Sequence, residues 1–143
     1  MGILFIHACV TFLLTGLIWV IQLVHYPMFQ FLGPQTYSRA MTFHQHRISI
    51  LVVPLMLFEL LSGVYLAHTQ WASLARFHGI NIALIVIIWV HTFGIMVPFH
   101  KRISIQLNQS LLQKTLRHHW IRTFAWTIKS MLWASVLWHL LPT

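Results

Sequence analysis

Four apolar runs, each about as long as the ~20 residues a helix needs to cross a bilayer, occupy most of this chain: Gly2 to Val24, Ile48 to Ala67, Phe77 to Phe99 and Trp120 to Leu141. Little sequence is left to build anything else. Of the 143 residues, 58% are hydrophobic and 7% charged, whereas soluble domains run near a quarter charged. A soluble enzyme and a disordered tail are both excluded. The pattern predicts an all-α fold, an integral membrane antiparallel four-helix bundle. It forms a single domain over 1–143, with helices at roughly 2–24, 40–68, 76–99 and 118–141. The first run has no base before it and is followed by Val24-His25-Tyr26-Pro27 rather than a small-residue cleavage site. It reads as helix 1, not as a signal peptide.

The connections differ in kind. Pro27, Gly33 and Pro34 are expected to break helix 1 and restart the chain, and helix 2 then begins ahead of the membrane with Arg39, His44, His46 and Arg47. A short connection near Thr69 to Arg76 makes helices 2 and 3 a hairpin. The stretch from Lys101 to His119 is longer and polar; Leu107, Leu111, Leu112 and Leu116 recur in it at helical spacing, which suggests an interfacial helix. No internal repeat is visible.

Nine Lys and Arg against a single acid give a formal charge of +8. Because these bases sit between apolar runs, they report topology rather than nucleic-acid binding. Arg39, Arg47, Lys101, Arg102, Lys114 and Arg117 fall in the first and third connections, against Arg76 in the second. The positive-inside rule then places those two connections in the cytoplasm and both termini outside, with a bacterial inner membrane as the expected location. Cys9 is the only cysteine, so neither a disulfide framework nor a thiolate metal site exists.

Glu59 is the sole acid and falls near the middle of helix 2. A charge facing lipid at that depth costs at least ~2.5 to 3.5 kcal/mol, so Glu59 is expected to face inward. Lys129 lies equally deep in helix 4, and each is the simplest partner for the other. On helix 4, His118, Arg122, Trp126, Lys129 and Trp133 recur at steps of three or four and share one face. Thr11, Thr15, Gln22 and His25 make a milder polar face on helix 1, and Gly16, Gly63 and Gly94 are expected to permit close helix approach.

Eleven His complete the inventory. His7, His68, His78 and His139 fall at the outer ends of the runs. His25, His44, His46, His100, His118 and His119 fall at the inner ends, with His91 about two turns deeper. Zinc-protease and di-iron carboxylate patterns are absent. Haem b or another metal held by one or two His from facing helices remains open, with Arg122, Lys101 and Arg102 at the level of its propionates; His91 and His25 are the metal candidates. The residues expected to form one graded cavity open to the cytoplasm are His25, His46, Arg122 and His91, with Glu59 and Lys129 beneath.

The segments IHACVTFLLTG and FHGINIALIVIIWVH, carrying His7 with Gly16 and then His78 with His91, resemble the small four-helix membrane protoporphyrinogen oxidases. A similar layout occurs in copper-resistance membrane proteins. The first resemblance implies haem b bound through such His residues and oxidation of a porphyrinogen. The sequence departs from it where Gly79 and Ile80 replace a basic residue, where Leu23 to Pro27 lacks an Arg, and where helix 4 opens His118-His119-Trp120 without an acid and a Pro. Three function classes therefore stand side by side. One is a haem- or metal-binding oxidoreductase acting on a hydrophobic or porphyrin-like molecule, with Glu59, Lys129 and Arg122 as its catalytic groups. The second is a non-catalytic subunit of a homo-oligomer or larger membrane complex. The third is a proton-coupled carrier.

Overall fold

The computed structural model describes residues 2–105 and 108–140. Leu107, Leu141 and the C-terminal Thr143, on which parts of the readings above rest, lie outside the described residues. The chain is almost entirely helical: α1 Gly2–Phe31, α2 Pro34–Ala72, α3 Leu74–Ile103 and α4 Gln109–Leu140. Of these, α1, α2 and α3 are long and apolar enough to cross a membrane.

Pro27 does not break α1. A proline lacks the N–H that would bond one turn back, and its ring presses on that turn's carbonyl. The helix answers by loosening: Ile21–His25 is a π turn, and Pro27 follows within the next α-helical turn. α3 repeats the device, with a π turn at Thr92–Met96 and Pro98 after it. Ile21 and Thr92, Pro27 and Pro98, and His7 and His78 are each separated by the same number of residues, so the chain does carry a faint internal repeat of helix and π turn. Periodicity of apolar residues hid it, because only three landmarks are shared.

α1 ends in a tight turn. Gly33 has an extended backbone (φ −70, ψ 159), and Pro34 opens α2 from its first turn, where the missing N–H costs nothing. α2 and α3 meet at Leu74, whose φ −139 and ψ 38 turn the chain back on itself. The hairpin is antiparallel: Gln45 Nε2 donates to the His100 carbonyl at 3.0 Å and Ser38 Oγ to the Ser104 carbonyl at 2.6 Å. Near the other end, a Cβ on Gly63 would lie 2.7 Å from Ile85. Gly16 and Gly94 meet nothing, so only Gly63 has the close-approach role expected of all three. No separate interfacial helix forms after α3. Leu111, Leu112 and Leu116 belong to the first turns of α4 and pack on Tyr37, Met41 and Ile103.

The bundle is polar inside and apolar outside. Leu13, Leu61, Val90, Phe124, Ile128 and Met131 are exposed, while Lys129, His7, Asn81 and His119 are buried. That inversion suits a surrounding of lipid rather than water. The interior is layered. Leu4, Ala8, Leu66, Phe77 and Trp133 form a cluster at one end, and Tyr26, Phe29, Tyr37, Met96 and Leu112 belong to one at the base-rich end. Between them Leu14, Ile18, Met56, Ile88 and Trp126 make an apolar septum.

Candidate functional site

The polar face of α4 crosses all three layers and places two cations on opposite sides of the septum. On one side the Lys129 ammonium forms an ion pair with Glu59 of α2, with both side chains buried. It also donates to Thr11 Oγ1 at 3.2 Å and lies 3.5 Å from His7 Nε2. The proton positions follow from the partners. Ser62 Oγ donates its one hydrogen to the Phe58 carbonyl at 2.6 Å, so at 2.7 Å it accepts from His7 Nδ1–H. His7 Nε2 is then the lone-pair atom, facing Lys129. Three acceptors thus meet the three N–H bonds of the ammonium, and the Trp126 ring lies 5.4 Å from it. Trp133 seals the cluster, donating to Asn81 Oδ1 at 3.0 Å and packing 4.6 Å from the His7 ring.

On the other side, Arg122 is buried, with 6% of it exposed, and among the described residues no carboxylate meets it. The only acid is already paired with Lys129 across the septum. Arg122 Nε has no hydrogen-bond partner among the described residues. The guanidinium lines a cavity of about 110 Å³ with Tyr26 of α1, His44 of α2, Thr92 and His100 of α3, and His119 of α4. Both π turns contribute at equivalent positions, Ile21 from one and Thr92 from the other, as do the residues that directly follow them, Tyr26 and Val97. π turns recur at functional sites because they re-aim side chains within a helix.

Within this cavity two imidazoles are held. Tyr26 O–H and His100 Nε2 are hydrogen-bonded. His119 Nδ1–H donates to Gln22 Oε1 at 2.6 Å, which leaves Nε2 as the acceptor nitrogen. The remaining wall is apolar: Val52, Val53 and Met56 of α2 face Phe93 and Val97 of α3. Val53, Phe93 and Val97 are also exposed on the outer surface, so the cavity's apolar wall reaches the apolar exterior between α2 and α3.

The single graded cavity expected from depth alone does not form. Glu59 and Lys129 come together as expected, but with His7 rather than beneath His91, and the septum parts them from Arg122. His91 is buried against His118 of α4, ring centroids 6.0 Å apart, and both of its nitrogens lack hydrogen-bond partners among the described residues. His25 sits beside His44 at 4.9 Å, outside the Arg122 cavity. His46 is exposed, and His44 takes the inward position in the Arg122 cavity. The two are about 200° apart around a helix, so one of them had to face out. Lys101 and Arg102 are exposed. Tyr26, His44, His100 and His119 were not expected as cavity residues, because the three His fall at the inner helix ends where depth alone does not show which way they face; Pro27 beside Tyr26 and Pro98 near His100 were the available signal.

As packed, the His set does not fit a haem. His78 is buried, but His7 has Ser62 on one nitrogen and Lys129 near the other, and Asn81, Ile85 and Trp133 fill the space around them. Gly16, which the resemblance pairs with His7, is exposed. At the other end the cavity is well below the ~300 Å³ at which small-molecule pockets begin. Among the described residues, no three of His, Cys, Asp and Glu gather as a metal site. Comparison of the chain with protein-family models, curated proteins and solved structures finds no match.

Proposed function

We propose that this is an integral membrane protein whose four helices all span the bilayer and whose Arg122 cavity binds the anionic head of a lipid-soluble molecule entering from the membrane between α2 and α3. The carrying observation is the contrast between the two buried cations. Lys129 has a carboxylate and two further acceptors, whereas Arg122 meets no carboxylate and its Nε no acceptor among the described residues. An uncompensated charge in a low-dielectric interior is strongly unfavourable, so a guanidinium built into a small, His- and Tyr-lined cavity calls for an anion. A carboxylate or phosphate suits its planar fork. The cavity holds a head group and not a whole molecule, and the exposed Val53, Phe93 and Val97 give the rest of the ligand an apolar path into lipid.

As an oxidoreductase the chain needs a redox group that its own residues do not supply. Within the cavity they offer anion binding by Arg122 and proton exchange through Tyr26 and His100. The test is to purify wild type and Arg122→Met in detergent, extract the bound small molecules and compare them by mass spectrometry. The expected result is an anionic amphiphile present in the first and absent from the second. Identical extracts overturn the reading, and a Soret band in the purified wild type restores the haem assignment.

A proton-coupled carrier is the second reading, favoured by the π turns repeated in α1 and α3. Paired elements of this kind are where carriers flex around a central site. The apolar septum is then the closed gate, and proton-driven uptake of the extracted amphiphile into vesicles is its test.

A further inference from the structure

A second site lies beside the Arg122 cavity, between α1 and α2. Arg39, Phe43 and Arg47 fall one turn apart on one stripe of α2, all exposed, with the Arg47 guanidinium carbon 5.3 Å from the centre of the Phe43 ring. Beside this stripe, α1 and α2 enclose a groove of about 380 Å³. His25 and Met28 line it from α1, and Phe43, Arg47, Ile48 and Leu51 from α2. A second hollow of about 420 Å³ shares Phe43 with the first and carries Arg39. The two make one continuous surface, basic toward the connection and apolar toward the bilayer centre.

We infer that this groove holds an anionic phospholipid of the cytoplasmic leaflet, with its phosphodiester against Arg47 and an acyl chain along Met28, Ile48 and Leu51. Three observations select that occupant. Arg47 immediately precedes the apolar run that begins at Ile48, so it stands at the level where phosphates lie. Arg39, about 12 Å further out along the helix, extends the positive field into the head-group zone. The chain's only acid is paired with Lys129 beyond the septum, so no internal carboxylate competes for either guanidinium. Basic pockets between helices on the cytoplasmic side recognise anionic head groups through the same chemistry. The groove shares His44 and Ile48 with the Arg122 cavity, so its lipid supports the α2 wall of that cavity while remaining a separate site.

Native mass spectrometry of the full-length protein in detergent, offered equal amounts of phosphatidylglycerol and phosphatidylcholine, tests the inference. Wild type is expected to retain phosphatidylglycerol preferentially, and raising the salt is expected to weaken that preference. Arg39→Gln with Arg47→Gln is expected to lower it by about 30-fold, while Arg76→Gln, at the opposite end, leaves it intact. Equal retention of both lipids by wild type overturns the inference, as does a preference that survives the double substitution. Displacement of the lipid by millimolar inorganic phosphate makes the occupant a free anion, and loss in Arg122→Met alone moves the lipid to the cavity; either result overturns it too.

Discussion

Lys129 and Arg122 lie on the same inward face of α4, about 10 Å apart along its axis, yet only Lys129 meets a carboxylate, that of Glu59. Trp126 stands between them in the apolar septum with Leu14, Ile18, Met56 and Ile88. The two cations therefore belong to different sites with opposite energetics. One cation is paired with a buried carboxylate; the other, among the described residues, meets none.

The first prediction concerns the closed cluster. Lys129→Met strands the Glu59 carboxylate and Glu59→Gln strands the ammonium, so each is expected to cost about 3 to 5 kcal/mol. Glu59→Leu combined with Lys129→Met removes both charges and is expected to cost much less than the sum. Unfolding in detergent across the four members of the cycle measures the coupling. Strictly additive costs would falsify the pairing.

For Arg122 the expected sign is reversed. In protein stripped of bound amphiphiles, Arg122→Met removes an unpaired buried charge, so it is expected to leave the melting temperature unchanged or raise it. The same variant loses the co-purifying anion. A drop in stability as large as that of Lys129→Met means that Arg122 has an internal partner.

Packing at Gly63 supplies the third. A Cβ there approaches Ile85 Cδ1 at 2.7 Å and His7 Cε1 at 3.2 Å, so Gly63→Ala is expected to cost about 1 to 3 kcal/mol. Ile85→Val frees space and is expected to recover part of that loss. Gly16→Ala and Gly94→Ala, in open positions, are expected to be neutral. Equal effects at all three glycines argue against the hairpin packing of α2 on α3.

Topology gives the fourth. In a Cys9→Ser background, a cysteine placed at Asn108 is expected to react with membrane-impermeant thiol reagents only from the cytoplasmic side, and one at His139 only from the outside. The base-rich ends of α1, α2, α3 and α4 lie together, as the Ser38–Ser104 and Gln45–His100 hydrogen bonds show for α2 and α3. The opposite labelling pattern reverses the sidedness of both sites.

The amino-acid sequence by itself determined the helical class, the bilayer length of the first three of its four apolar runs, and the inward turn of Glu59 and Lys129. Those properties follow from apolar run length and the cost of a charge in lipid, both readable one residue at a time. It also showed the polar face of α4, because the spacing of His118, Arg122, Trp126, Lys129 and Trp133 fixes their common side whatever they meet. Only the tertiary structure decided what each group meets. Depth along a helix does not say which residues from the other three fill the gap, so the septum of Leu14, Met56, Ile88 and Trp126 could not be foreseen from residues that look like any others in an apolar run. Nor could the π turns before Pro27 and Pro98. A proline in a helix is relieved either by breaking it or by loosening it, and the packing of Tyr26, His100 and His119 around one cavity accompanies the second solution here.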